Sequence, residues 1–100
     1  MKNSIEKIIW LIDSSMIEAE TKKMYLERLS KIDFHILEQA YQKSKIKITG
    51  TDIKYIICFA ADMDVKDICK LFKVIPPSVY TVRYRIRKKF AKEDIFWMIL

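Results

Sequence analysis

The stretch that decides the fold runs from Asp64 to Phe90, Asp64-Val65-Lys66-Asp67-Ile68-Cys69-Lys70-Leu71-Phe72, then Lys73-Val74-Ile75, then Pro76-Pro77-Ser78-Val79-Tyr80-Thr81-Val82-Arg83-Tyr84-Arg85-Ile86-Arg87-Lys88-Lys89-Phe90. Val65, Ile68, Leu71 and Phe72 recur at helical spacing. Asp64 stands before them as an N-cap with Asp67 in the first turn, which predicts a short helix over residues 65–72. Pro76 favours the first position of a following helix, whose buried stripe is Val79, Val82, Ile86 and Phe90. Tyr80, Thr81, Arg83, Tyr84, Arg87 and Lys88 are left for its outer surface.

Upstream, Thr49 and Asp52 have capping-box spacing, and Ile53, Ile56, Ile57 and Ala60 predict the buried side of another helix that stops near Ala61-Asp62. A helix, a short scaffold helix, a tight turn and a helix with a basic, hydrogen-bonding outer face make a helix-turn-helix order, in which the last helix enters the major groove of DNA. The recognition helix is expected over Pro76 to about Lys89.

The amino-terminal half predicts three further helices. The first starts at the caps Asn3 or Ser4 and carries Ile5, Ile8, Ile9 and Ile12. Asp13-Ser14-Ser15 breaks it, a second runs from about Met16 to Leu29 with Met24, Tyr25 and Leu29 inward, and a third from about Asp33 places Phe34, Leu37 and Tyr41 on one face beside Ala40. Residues 1–47 are therefore expected as a helical lead-in, either a hairpin packed on the carboxy-terminal half or a dimerisation arm, and 48–100 as the helix-turn-helix unit. With 100 residues, 51% of them hydrophobic, one glycine and two prolines, an all-α fold is favoured over disorder or a many-stranded sheet.

The net charge of +6 is unevenly placed: Arg83, Arg85, Arg87, Lys88, Lys89 and Lys92 follow one another with no acid among them. Such a stretch attracts a polyanion, although a solvated helical face or a membrane-surface segment has the same composition. Cys58 and Cys69 with a lone, distant His35 do not make a zinc spacing and read as core thiols. No phosphate-binding glycine loop or nucleophile-base pairing is present, so no enzyme and no cofactor are expected. Without a leader or an apolar run of membrane-spanning length, the expected location is the cytoplasm, with reduced thiols and no membrane contact. Six apolar residues, Ile95 to Leu100, come after Glu93-Asp94 and are expected to be buried, on the amino-terminal helices or against another copy.

Ile48-Thr49-Gly50-Thr51-Asp52, Asp64 to Ile68, Val74 to Val79 and the final Arg85-Ile86-Arg87-Lys88-Lys89-Phe90 together resemble the LuxR-type (GerE-like) helix-turn-helix domain, over a little under half the chain. The likeness is closest to versions at the carboxy terminus of regulators from Bacteroidetes, whose helical lead-in Tyr25 to Phe34 is similar to. The resemblance implies a DNA-binding transcriptional regulator, acting as a homodimer on double-stranded DNA and often joined to an upstream sensor domain. It implies base reading by Tyr80, Thr81 and Tyr84, and phosphate contacts by Lys66, Ser78, Arg83, Arg85, Arg87 and Lys88. It also implies a carboxy-terminal helix that serves packing and dimerisation.

Three positions depart from the family pattern: Ile75 replaces a hydroxyl N-cap, Pro77 removes a second first-turn amide, and Asp62 stands where glycine is usual. The two tyrosines lack the bidentate fork of arginine or asparagine, so sequence readout is expected to be modest. The alternative is a protein-interaction module that retains the helix-turn-helix fold with weak or no DNA binding.

Overall fold

The computed structural model describes residues 2–43 and 48–89, which form six α-helices. They are α1 (Lys2–Ser14), α2 (Ala19–Lys31), α3 (Phe34–Lys43), α4 (Gly50–Ala60), α5 (Val65–Phe72) and α6 (Pro76–Lys88). No described helix is long and apolar enough to cross a membrane. The expectations for the side chains of Leu37, Ala40 and Tyr41, for Phe90 and Lys92, and for the apolar run Ile95 to Leu100 lie outside the described residues.

Helix α1 buries Ile8 and Ile12 completely, with Ile5, Ile9 and Leu11 packed at the margin. Asn3 and Ser4, expected as caps, lie within it, because a cap preference of about 1 kcal/mol does not stop a helix whose neighbours continue it. The polar break after it works differently from a cap on the next helix. The Ser15 hydroxyl donates to the Ile12 carbonyl (2.7 Å) and accepts from the Ile17 amide (3.3 Å), turning the chain so that Ile17 is buried and Met16 exposed. Helix α2 consequently begins three residues later than the sequence predicts, with Glu18 at its N-cap and no side-chain cap bond. Asp33 Oδ1 accepts from the His35 and Ile36 amides and starts α3.

The carboxy-terminal elements follow the sequence closely. Thr49 and Asp52 form the full capping box at the start of α4, Thr49 Oγ1 accepting from the Asp52 amide (3.1 Å) and Asp52 Oδ2 from the Thr49 amide (3.3 Å). Asp62 adopts the left-handed backbone (φ 52°) that ends α4, and Lys73 (φ 54°) does the same after α5. Three residues then connect α5 to α6, where Ile75 occupies the N-cap without a side-chain bond and Pro76 and Pro77 open the helix.

One core serves both halves. Helix α4 packs on α1 and on α6, α5 packs on α6, and α1 packs on α2. Ile8, Ile12, Tyr25 and Leu29 of the lead-in join Ile56, Ile57, Ile68, Val79 and Ile86 in a single apolar cluster, so the lead-in packs on the second half. The inner face of α4 is wider than its isoleucines suggest. Tyr55 stacks on Phe72 with ring centroids 4.6 Å apart, and Cys58 is fully buried, its thiol pushed up to about 12 by burial. Cys69 is half-buried, and both cysteines are free.

Helix α2 is fastened to the turn between α4 and α5 by polar side chains. The Tyr25 hydroxyl donates to the Asp67 carboxylate (2.5 Å) and accepts from the Asp64 amide (3.2 Å). Arg28 donates to the carbonyls of Ala61 (3.3 Å) and Asp62 (3.0 Å), which are end-of-helix acceptors with no intrahelical partner. Burial and the bond to Asp67 push the Tyr25 phenol up from 10.0 to about 12. Because the folded state holds that proton more tightly, this contribution is complete below pH 10 and is lost as the pH rises from 10 toward 12.

Tyr25→Phe should therefore destabilise the protein by about 1–3 kcal/mol at neutral pH, since it takes the partner from the Asp64 amide and from one oxygen of the buried Asp67 carboxylate, whose other oxygen keeps Lys70 at 3.7 Å. That corresponds to a fall in Tm of about 4–8 °C per kcal/mol in a domain of this size. Thermal melts followed by circular dichroism between neutral pH and the alkaline range check it. The gap between wild type and variant should close as the phenol ionises.

Candidate nucleic-acid interface

Helix α6 turns two unlike faces to its surroundings because apolar residues recur every three or four positions. Val79 and Ile86 are completely buried against α4 and α5, with Val82 beside them. The opposite stripe carries Pro77, Tyr80, Thr81, Tyr84 and Lys88, all exposed, Tyr80 at 56% and Tyr84 at 62%. The three expected base-reading residues are thus brought together on one outward face. Thr81 Oγ1 donates to the Pro77 carbonyl (2.9 Å), one helical turn back, which leaves its methyl group for contact. The Lys88 ammonium sits 4.6 Å from the centre of the Tyr84 ring.

The expected phosphate-contacting residues divide into separate groups. Lys88 shares the outer stripe, and Arg83 lies at its flank, its guanidinium 5.6 Å from the Phe59 ring of α4. Arg87 and Ser78 are half-buried at the edges of the helix. Lys66 is exposed on α5 and lines a small cleft with Thr21, Met24 and Lys70.

Arg85 has a different attachment: its guanidinium donates to Asp52 Oδ1 at 2.6 Å. Lys89 donates to Oδ2 of the same carboxylate at 2.9 Å. Asp52 is completely buried, and the two cations cover it with side chains half and three-quarters buried, respectively. Burial alone would raise its pKa. The bonds from Lys89 and Arg85 and from the Thr49 amide outweigh that effect and hold the carboxyl below its ordinary 3.8.

Sequence spacing found Asp52 as half of a capping box but missed it as the counter-ion of α6, thirty-three residues away from Arg85. No local pattern carries that signal. Arg85 and Lys89 of the basic run have their acid in another helix, and the packing of α4 on α6 brings them together.

Asp52→Asn should destabilise the fold by about 2 kcal/mol at neutral pH, less than for a fully enclosed pair because Arg85 and Lys89 can rehydrate. The carboxyl is depressed in the folded state, so its contribution is present above pH 3.8 and is lost as the pH falls below it. Urea titrations of wild type and variant should show the difference at neutral pH and its disappearance in acid. A variant as stable as wild type at neutral pH would remove the carboxylate from the account of α6. In comparisons with known proteins, no family model, no curated protein and no solved structure matches this chain.

Proposed function

We propose that the chain is a DNA-binding transcriptional regulator, or the carboxy-terminal effector part of one, that lays α6 into the major groove of duplex DNA. The observation that carries the proposal is the outward stripe of Tyr80, Thr81, Tyr84 and Lys88 on a helix reached from α5 by a three-residue turn. A projecting helix of this kind is the element that enters the groove in helix-turn-helix proteins. The likeness of residues 48–90 to the LuxR-type domain supports the same assignment. Lys66, Arg83, Arg87 and Lys88 contact phosphates in this reading, with Ser78 as a polar neighbour. Arg85 contributes first to the placement of α6, through Asp52. A homodimer would present two α6 helices to half-sites one turn of DNA apart, about 34 Å.

A second reading rests on two other observations. Asp52 neutralises part of the basic run, and Ile75, Tyr80 and Tyr84 are exposed residues of the apolar and aromatic kind that protein interfaces enrich. In that reading α6 meets a protein partner.

Fluorescence anisotropy of a labelled random-sequence duplex separates the two. Affinity should fall steeply between about 50 and 200 mM salt, because each phosphate contact contributes about −0.9 to the log-log slope. Lys66→Ala and Lys88→Ala should each flatten that slope by about 1, while Arg85 is left intact so that α6 stays in place. Absence of binding at the lower salt would reject the DNA reading and leave the protein-interaction module.

A further inference from the structure

The outer face of α6 is poor in the groups that usually read base edges. From Ile75 to Tyr84 there is no asparagine, glutamine or lysine, and Arg83 is drawn to the flank by Phe59. Bidentate hydrogen bonding to guanine or adenine therefore has no donor at the centre of the stripe. The surface offers carbon instead. Tyr80 and Tyr84 are exposed one helical turn apart, and the exposed Thr81 between them has its hydroxyl engaged by the Pro77 carbonyl. Ile75, 66% exposed at the N-cap, adds an aliphatic side chain at the leading end of the same helix.

The major groove presents one apolar feature that such a face can recognise, the C5-methyl group of thymine. Cytosine methylated at C5 displays a methyl group in the same place on the pyrimidine ring.

Resting on the duplex-DNA reading of α6, we infer that Tyr80, Thr81 and Tyr84 select pyrimidine C5-methyl groups, so that specificity arises from apolar contact and affinity from the flanking cations. The arrangement separates the two tasks spatially. Lys88, held over the Tyr84 ring, and Arg83, held over Phe59, sit beside the aromatic stripe, where phosphates border the groove. Water released from two rings and a methyl group favours the methylated partner, and a bare C5–H leaves part of that surface uncovered.

The test compares duplexes of about 20 base pairs, two turns of B-DNA, of alternating A·T sequence with the same duplex in which uracil replaces every thymine. A second pair contains cytosine or 5-methylcytosine in an otherwise identical G·C duplex. Anisotropy at low salt should show the thymine duplex bound more tightly, by about fourfold for each methyl contacted, as expected for one methyl-sized apolar group buried. The 5-methylcytosine duplex should gain over cytosine in the same way. Tyr80→Ala and Tyr84→Ala combined with Thr81→Ser, all at exposed positions, should bind more weakly, keep the salt sensitivity and treat the methylated and unmethylated duplexes alike.

Equal affinity of wild type for thymine and uracil duplexes would overturn the methyl inference and leave the DNA reading standing. Discrimination that survives in the triple variant would also overturn it, by assigning the preference to duplex shape. No binding to any duplex at low salt would overturn the DNA reading itself, and this inference with it.

Discussion

A carboxylate with no exposed surface holds the end of α6 to the start of α4, and the position of the candidate interface depends on it. Asp52 accepts the Thr49 amide that begins its own helix, then Arg85 and Lys89 from one side of another. A buried, unpaired carboxylate is unfavourable by several kcal/mol, so the packing of α4 on α6 is tolerable only when both cations are in reach. That requirement fixes the rotation of α6 about its axis. With Arg85 and Lys89 turned toward Asp52 and with Val79 and Ile86 in the core, Tyr80, Thr81 and Tyr84 have only the solvent side left.

The lead-in helices supply the second constraint. Tyr25 and Arg28 bind the backbone and side-chain acceptors of residues 61–67, the left-handed turn on which α5 is set. A glycine would adopt that turn without steric cost; Asp62 adopts it with some strain, and the Arg28 bonds to Ala61 and Asp62 offset it. Helix α5 is eight residues long, too short to be stable alone, and it relies on these contacts and on its packing against α6. Any displacement of α2 would therefore be felt at α5. The lead-in and the carboxy-terminal helices thus share one core among the described residues.

Much of what depends on near neighbours was legible in the sequence. The bounds of α5 and the start of α6 follow the apolar spacing and Pro76, although Asp64 stands at the N-cap of α5 without a side-chain cap bond, and the capping box of α4 follows Thr49 and Asp52. The start of α2 was not legible because Met16 and Ile17 look helical in composition, while the Ser15 hydroxyl bonds that turn the chain are set by local geometry rather than by residue type. Periodicity and cap spacing reveal Tyr25 as a stripe residue and Asp52 as a cap. Each also bonds a group more than thirty residues away, and no spacing rule reaches so far. Of the candidate interface, the shared outer face of Tyr80, Thr81 and Tyr84 was legible from helical periodicity. The diversion of Arg85 and Lys89 to an internal acid was not.

That diversion changes what the basic run means. Counting lysines and arginines along residues 83–89 treats each as available to an outside anion, yet charges separated by a few ångströms in a folded chain are already balanced in part. Asp52 takes two of them as direct partners, and Arg83 and Lys88 each lie against an aromatic ring that helps to position them. The positive field that reaches solvent is therefore smaller and more sharply placed than composition suggests, lying along the margins of an aromatic stripe. A surface of that kind places its charge at the margins and its apolar contact between them, two separate parts of one face.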